Sequence, residues 1–362
     1  MQGKWLATVI GLGLLGSTAA YCAGAEGGTK TPVPSDSSKF RTQPLVPSMF
    51  FADPSAHVFN GKVYVYPSHD IPNDAPNDDL GSQYGMRDYR VLTMDRPGGK
   101  VTVNGVALDV SQVPWAKQQM WAPDAAYKNG IYYLYFPARD HDNVFRIGVA
   151  TSRSPIGPFK AEPKPIEGSF SIDPAVFMDD DGQAYMYFGG IWGGQLQRWA
   201  TGSYNAAAGD TDLKTDDKPA LSAKVVKLSS DMKQFAENPR DAVIVDEKGA
   251  PLLGGDHDRR FFEGSWMFKR NGVYYFLYST GDTHLIAYAT GKTPYGPFTY
   301  RGTVLKPVQG WTSHVSTINQ GGSWYLFYHD TQLSNVNSLR SAKVIPLEFE
   351  GDGSIRTIDP FK

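Results

Sequence analysis

The sequence predicts an all-β protein, a five-bladed β-propeller forming a single domain, and three observations carry that expectation. A glycine-containing turn followed by an alternating, aromatic-rich strand occurs five times. A second motif, Thr151-Ser152-Arg153-Ser154-Pro155-Ile156-Gly157-Pro158-Phe159, returns as Thr290-Gly291-Lys292-Thr293-Pro294-Tyr295-Gly296-Pro297-Phe298. The chain is rich in aromatics, Gly and Pro (20 Tyr, 19 Phe, 38 Gly, 25 Pro) and lacks helical periodicity of useful length. Aromatics suit pleated surfaces, and Gly and Pro punctuate turns.

In chain order, the hairpins are Asn60-Gly61 before Val63-Tyr64-Val65-Tyr66, Asn129-Gly130 before Tyr132 to Phe136, and Asp181-Gly182 before Tyr185 to Phe188. Asn271-Gly272 before Tyr274 to Tyr278 and Gly321-Gly322 before Trp324 to Tyr328 complete the set. Asn-Gly and Asp-Gly between apolar runs favour two-residue hairpins, because both central residues take positive φ. The hairpins start 69, 52, 90 and 50 residues apart, roughly the ~40–50 residues of a four-stranded blade plus insertions. The long gaps hold polar loops, residues 71–88 and 201–218. A two-sheet sandwich would not explain five copies of one hairpin.

Ahead of the propeller, Lys4 precedes an apolar run from Trp5 to Leu15 and then small residues. That run is too short to span a bilayer and has the form of a secretory signal, residues 1–25, with Ala23-Gly24-Ala25 as the cleavage site. Cys22 offers a lipoprotein alternative, disfavoured by bulky Tyr21. Residues 26–44 read as a linker and 45–362 as the propeller. The expected location is exported, periplasmic or secreted, with no integral membrane segment after cleavage. A formal charge of −2 excludes a nucleic-acid partner held by bulk positive charge. The one cysteine excludes an internal disulfide and any multi-Cys zinc site.

Each repeat opens with a short polar-aromatic signature: Phe51-Ala52-Asp53-Pro54, Trp121-Ala122-Pro123-Asp124, Ser171-Ile172-Asp173-Pro174, Phe262-Glu263-Gly264-Ser265 and Ser313-His314-Val315. Innermost propeller strands line the central axis, so equivalent positions converge at one mouth of the channel. Carboxylates packed round one axis repel one another unless a function or a cation retains them. Asp124 reads as the exception, a structural acid bonding neighbouring backbone amides.

In these motifs, over essentially the whole chain after residue 25, the sequence resembles glycoside hydrolase family 43, inverting hydrolases of xylan and arabinan. The resemblance implies Asp53 as general base, Asp173 as the residue that tunes the acid and orients substrate, and Glu263 as general acid. It also implies Trp121 as a subsite aromatic, Arg340 as a substrate-contacting arginine, and His314 as the residue facing a calcium ion (Ca2+) at the axis, directly or through water. After Phe361 nothing remains for the C-terminal β-sandwich of many family xylosidases, so loops alone are expected to close the pocket.

Inverting hydrolysis needs these residue types in any fold: an acid to protonate the leaving oxygen and a carboxylate to activate water, ~6.5–9.5 Å apart. Asp173 is expected to keep Glu263 protonated by like-charge repulsion. Asp179-Asp180-Asp181-Gly182 lacks the distal Glu of a calcium loop and reads as a turn. The acidic loop from Asp70 to Asp79 reads as a solvated lid, with His69 and Asp70 as candidates to border the pocket. Asp256-His257-Asp258-Arg259-Arg260 is expected to edge the site. The expected function is release of terminal β-1,4-xylosyl and also α-L-arabinofuranosyl units from xylo- or arabino-oligosaccharides. The alternatives are an α-L-arabinofuranosidase, an endo-arabinanase, or a non-catalytic carbohydrate-binding propeller.

Overall fold

The computed structural model describes residues 34–210 and 215–362. The expected signal segment and Cys22 lie outside the described residues. Five antiparallel blades follow one another round an axis. Blade one comprises Phe50–Phe59, Lys62–Asp70, Asp88–Met94 and Thr102–Asp109. Blade two comprises Asp124–Lys128, Ile131–Asp140, Phe145–Ser152 and Lys160–Ala161, with Ala116–Gln118 pairing beside them. Blade three runs from Ala175–Met178 through Ala184–Phe188 and Lys224–Lys227 to Arg240–Asp241. Blade four is Glu263–Arg270, Val273–Ser279, Ile286–Gly291 and Phe298–Leu305, with Ile244–Val245 on its outer edge. Blade five has three strands, Ser316–Gln320, Ser323–Asp330 and Ser341–Leu347, and meets blade one through a parallel bridge between Phe51 and Ser341.

Four of the five hairpins turn as the sequence predicts. Phe59 pairs with Lys62, Lys128 with Ile131, Arg270 with Val273 and Gln320 with Ser323, each around two residues with positive φ. The third differs. Met178 pairs with Ala184 and the Asp179 N–H donates to the Gln183 carbonyl, leaving Asp180-Asp181-Gly182 as a three-residue loop with only Gly182 left-handed. Asp179 is drawn away from the turn by Lys269 (2.8 Å) and the Tyr274 hydroxyl (2.6 Å) of blade four.

The core lies between blades. One cluster joins Tyr135 and Val149 of blade two to Met186 and Phe188 of blade three and Phe276 and Tyr278 of blade four; others bridge one with two, four with five, and five with one. Each large apolar side chain buried there contributes roughly 1.5–3 kcal/mol. The repeated Pro-x-Gly-Pro-Phe motif has a bracing role. The Tyr66 hydroxyl of blade one donates to the Pro155 carbonyl (2.7 Å), and that of Tyr187 in blade three donates to the equivalent Pro294 carbonyl (2.5 Å).

The segment expected as linker is docked over its described part. The Ser35 N–H donates to Gln332 (2.7 Å), Arg41 to Pro360 (3.0 Å) and Leu45 to Ala342 (2.8 Å), while Phe40 packs on Phe361. Phe40 also covers the buried Lys343–Asp330 pair, its ring 4.0 Å from the ammonium. Among the described residues no helix is long and apolar enough to cross a membrane.

Candidate active site

The inner strands bring Asp53, Asp173, Glu263 and His314 to one mouth of the channel, where they line a cavity of about 260 Å³. Local backbone irregularities aim them. The pairing register slips between Ala52 and Ser55, and again between Glu263 and Trp266, so a bulge sits beside each acid; bulges of this kind redirect side chains. Asp53 and Asp173 take left-handed φ of 47° and 55°, each immediately before a proline. The Asp53 turn is tied by its own N–H, which donates to Nδ1 of His329 (3.0 Å). His329 is buried and its pKa is pulled down to about 3 by that burial, so it stays neutral and its Nε2–H donates to the Thr312 carbonyl (3.0 Å).

Asp53 and Glu263 are driven apart in acidity. Burial alone would raise the Asp53 pKa, but the Arg340 guanidinium, His329, His314 and the Ser68 hydroxyl outweigh it and hold it at about 2. Arg340 Nη1 is 2.8 Å from Asp53 Oδ1, and Ser68 donates to Oδ2 at 2.6 Å. Glu263 has no such partner. Burial, reinforced by the charge of Asp53 and only partly opposed by Arg340, pushes it up to about 8. Burial, then the charges of Glu263 and Asp53, raise the Asp173 carboxyl well above its ordinary value, so Asp173 and Glu263 share one like-charge repulsion. Asp173 Oδ2 also accepts the Gly264 N–H (3.0 Å), fixing the backbone next to the acid.

Arg340 lines the cavity but its donors face inward. Nε and Nη2 grip both oxygens of Asp70 at 2.9 Å, and Nη1 is shared by Asp53 and Thr312. The geometry makes Arg340 the counter-charge of Asp53 at the cavity wall. Trp121 also lines the cavity, yet it is buried as a wall. Its indole N–H donates to the Tyr84 carbonyl (2.8 Å), and its ring packs on Phe145 and under Gly81. The more open aromatics are Trp192 and Trp311, which with Phe262 form a cluster with centroids 5.1–5.8 Å apart. Asp124 is absent from the cavity. It accepts from Ser55, His57 (2.6 Å) and the N–H groups of Ala125 and Val176, binding blades one, two and three together.

The calcium expectation meets a sparse set of ligands. Among the described residues no group of three or more His, Cys, Asp or Glu comes together to hold a metal. His314 Nδ1 lies 3.8 Å from Asp53 and 4.0 Å from Asp173, and the nearest Asp53 oxygen already faces Arg340. Calcium prefers oxygen ligands and His314 offers it one imidazole nitrogen, so water would have to complete its shell.

The sequence profile described as Glycosyl hydrolases family 43 matches residues 101–355. The chain belongs to that family. It is 55% identical over 324 residues to "Xylosidase/arabinosidase 43A" of Humicola insolens, covering 88% of this chain and 99% of the relative. A "Xylosidase/arabinosidase" of Bacteroides ovatus is 51% identical over 87% of this chain and 97% of its own length. Among solved structures, a family 43 β-xylosidase/α-arabinofuranosidase from a compost microbial metagenome, in complex with xylotriose and in a calcium-free form, superposes with a TM-score of 0.86 at 59% identity. The match covers 91% of this chain and 99% of that one. A glycoside hydrolase of family 43 needs an acid and a base in one cleft, and this cavity supplies one carboxyl held ionised and one held protonated. The five-bladed propeller and the glycosidase activity expected from sequence both stand.

Proposed function

We propose that the protein is an exo-acting, inverting glycosidase that removes terminal β-1,4-xylosyl units, and also α-L-arabinofuranosyl units, from hemicellulose oligosaccharides. The observation that carries this reading is one cavity lined by both acids, in which Asp53 faces the Arg340 guanidinium (2.8 Å) and the Ser68 hydroxyl (2.6 Å) while burial and the charge of Asp53 push Glu263 up to about 8. Asp53 removes a proton from the attacking water while Glu263 delivers one to the departing oxygen, and Asp173 holds the backbone beside Glu263. The Trp192–Trp311 pair on the cavity wall offers a hydrophobic face to a sugar ring. The similarity to xylosidases and arabinosidases, one of them solved with xylotriose, supports the choice of pentose.

Proton NMR of the first product tests the mechanism: a single displacement releases the inverted anomer, and a retained anomer would make Asp53 a nucleophile instead. A product profile on xylo-oligosaccharides, arabino-oligosaccharides and linear arabinan tests the substrate, with monosaccharide as the expected product. A calcium ion carried by His314 and water belongs to the same proposal, motivated by the calcium-free form of the compost relative; it would add positive charge at the axis. Export by the N-terminal segment is proposed too, and N-terminal sequencing of the protein recovered outside the cytoplasm tests it.

A further inference from the structure

The loop of residues 71–87 from blade one and the short turn Trp192–Gly194 from blade three both line the cavity, although blade two separates their strands. They meet above blade two at a contact too close for a side chain. A Cβ on Gly193 would stand 2.7 Å from the Leu80 carbonyl oxygen. Beneath that contact lies Arg139, at the end of the second strand of blade two, buried and outside the cavity lining. Its Nη2 donates to the Leu80 carbonyl at 3.0 Å and lies 3.5 Å from that of Gly193, while Nη1 donates to Asn143 at 3.0 Å. The guanidinium rests 4.5 Å from the centre of the Phe145 ring. One planar cation thus gathers backbone carbonyls from three loops belonging to three blades. A fork of fixed donors suits this task, because it satisfies several acceptors at once with little loss of freedom.

We propose that Arg139 is a positioning residue that latches the blade-one loop to the blade-three turn, and that this latch closes one side of the cleft and confines cleavage to chain ends. The inference rests on the exo-acting reading above. It assigns the closed end of the cavity to a cation that touches neither substrate nor any of the three acids. With the latch released, Asp78, Asp79 and Gly81 can part from Trp192 and Gly193, and a chain can lie across the acids in both directions.

The test compares the products of xylohexaose hydrolysis by wild type, R139Q, R139K and G193A, with melting temperature and aryl-xyloside turnover measured alongside. Wild type should release xylose alone. R139Q should release xylobiose and xylotriose early in the reaction, while its turnover of the small aryl xyloside stays within about threefold, since the acids are untouched. R139K, able to reach one carbonyl but not three, should show an intermediate pattern. G193A, which drives the loops apart with Arg139 intact, should reproduce the internal products, and it decides the matter if R139Q does not fold. Xylose as the sole product of folded R139Q, or of G193A where R139Q does not fold, overturns the latch. Internal products from wild type overturn the exo-acting reading itself, and the two failures are told apart by which protein yields them.

Discussion

Replacing Glu263 by Gln should make the protein more stable near neutrality while removing most of its turnover. The reason is the environment that suits Glu263 to be an acid. Its pKa stands at about 8 against an ordinary 4.5, so between those values the folded state holds a proton that the unfolded chain releases. Stability therefore falls as pH rises through that interval. One pH unit corresponds to 1.36 kcal/mol, so the burden is nil at pH 4, about 3 kcal/mol at pH 7 and about 4 by pH 8. Asp173 takes part in the same repulsion, so its share is not added. Gln has the same shape but never ionises. Allowing for imperfect hydrogen bonding of the amide, the net gain at pH 7 is roughly 1–3 kcal/mol, or several degrees in Tm. The assay is thermal unfolding of wild type and E263Q at pH 4, 7 and 8. The expected gap is small at pH 4 and widens with pH. A gap that does not change with pH, or a wild type that is the more stable at pH 8, would refute a protonated Glu263 in a buried site.

Three further outcomes follow from the same geometry. E263Q and D53N should each lose at least ~10²-fold in kcat on xylobiose, and an activated aryl leaving group should partly rescue E263Q but not D53N; rescue of D53N and not of E263Q would reverse the roles. R340M strands two buried carboxylates, so the acidic limb of kcat/KM should rise from below pH 3 into the mid-acid range as Asp53 loses its counter-charge, with stability lower by ~3–5 kcal/mol; an unmoved limb would show that Arg340 does not set the Asp53 pKa. Chelation followed by calcium addition should lower and then restore activity and Tm in wild type but not in H314A; no response in wild type removes the cation from the proposal.

The architecture was legible because the turn chemistry is local. Asn60-Gly61 and its counterparts adopt positive φ whatever surrounds them, so five hairpins could be counted from sequence. Asp180-Asp181-Gly182 broke the rule because Asp179 is claimed from across the blade boundary by Lys269 and Tyr274, a contact that no local pattern encodes. The acids were legible for a related reason, since each heads an inner strand beside Pro or Gly. What escaped is what depends on distant residues meeting. Asp70 was noticed as a neighbour of the pocket, but its grip on Arg340, 270 residues away, was not visible. His329 lies inside a hairpin strand, and nothing around it signals that it ties the Asp53 turn. Trp192 stands between two glycine pairs, Gly189-Gly190 and Gly193-Gly194, and Trp311 precedes the His314 signature; an aromatic next to a signature was the one available clue.

The docking of residues 35–45 along blade five also determines where the chain can be cut and rejoined. The backbone enters and leaves the ring at one place: Phe40 lies against Phe361, and the Lys362 N–H donates to the Lys39 carbonyl at 2.9 Å. A flexible connector from Lys362 back to Lys39 would join two residues already hydrogen-bonded to each other. New termini could then open at an exposed hairpin such as Asn129-Gly130, on the opposite face of the ring from the acids. A second module grafted at such an opening would hang away from the cleft, whereas one joined beside the Phe40–Phe361 contact would sit at the seam between blades five and one.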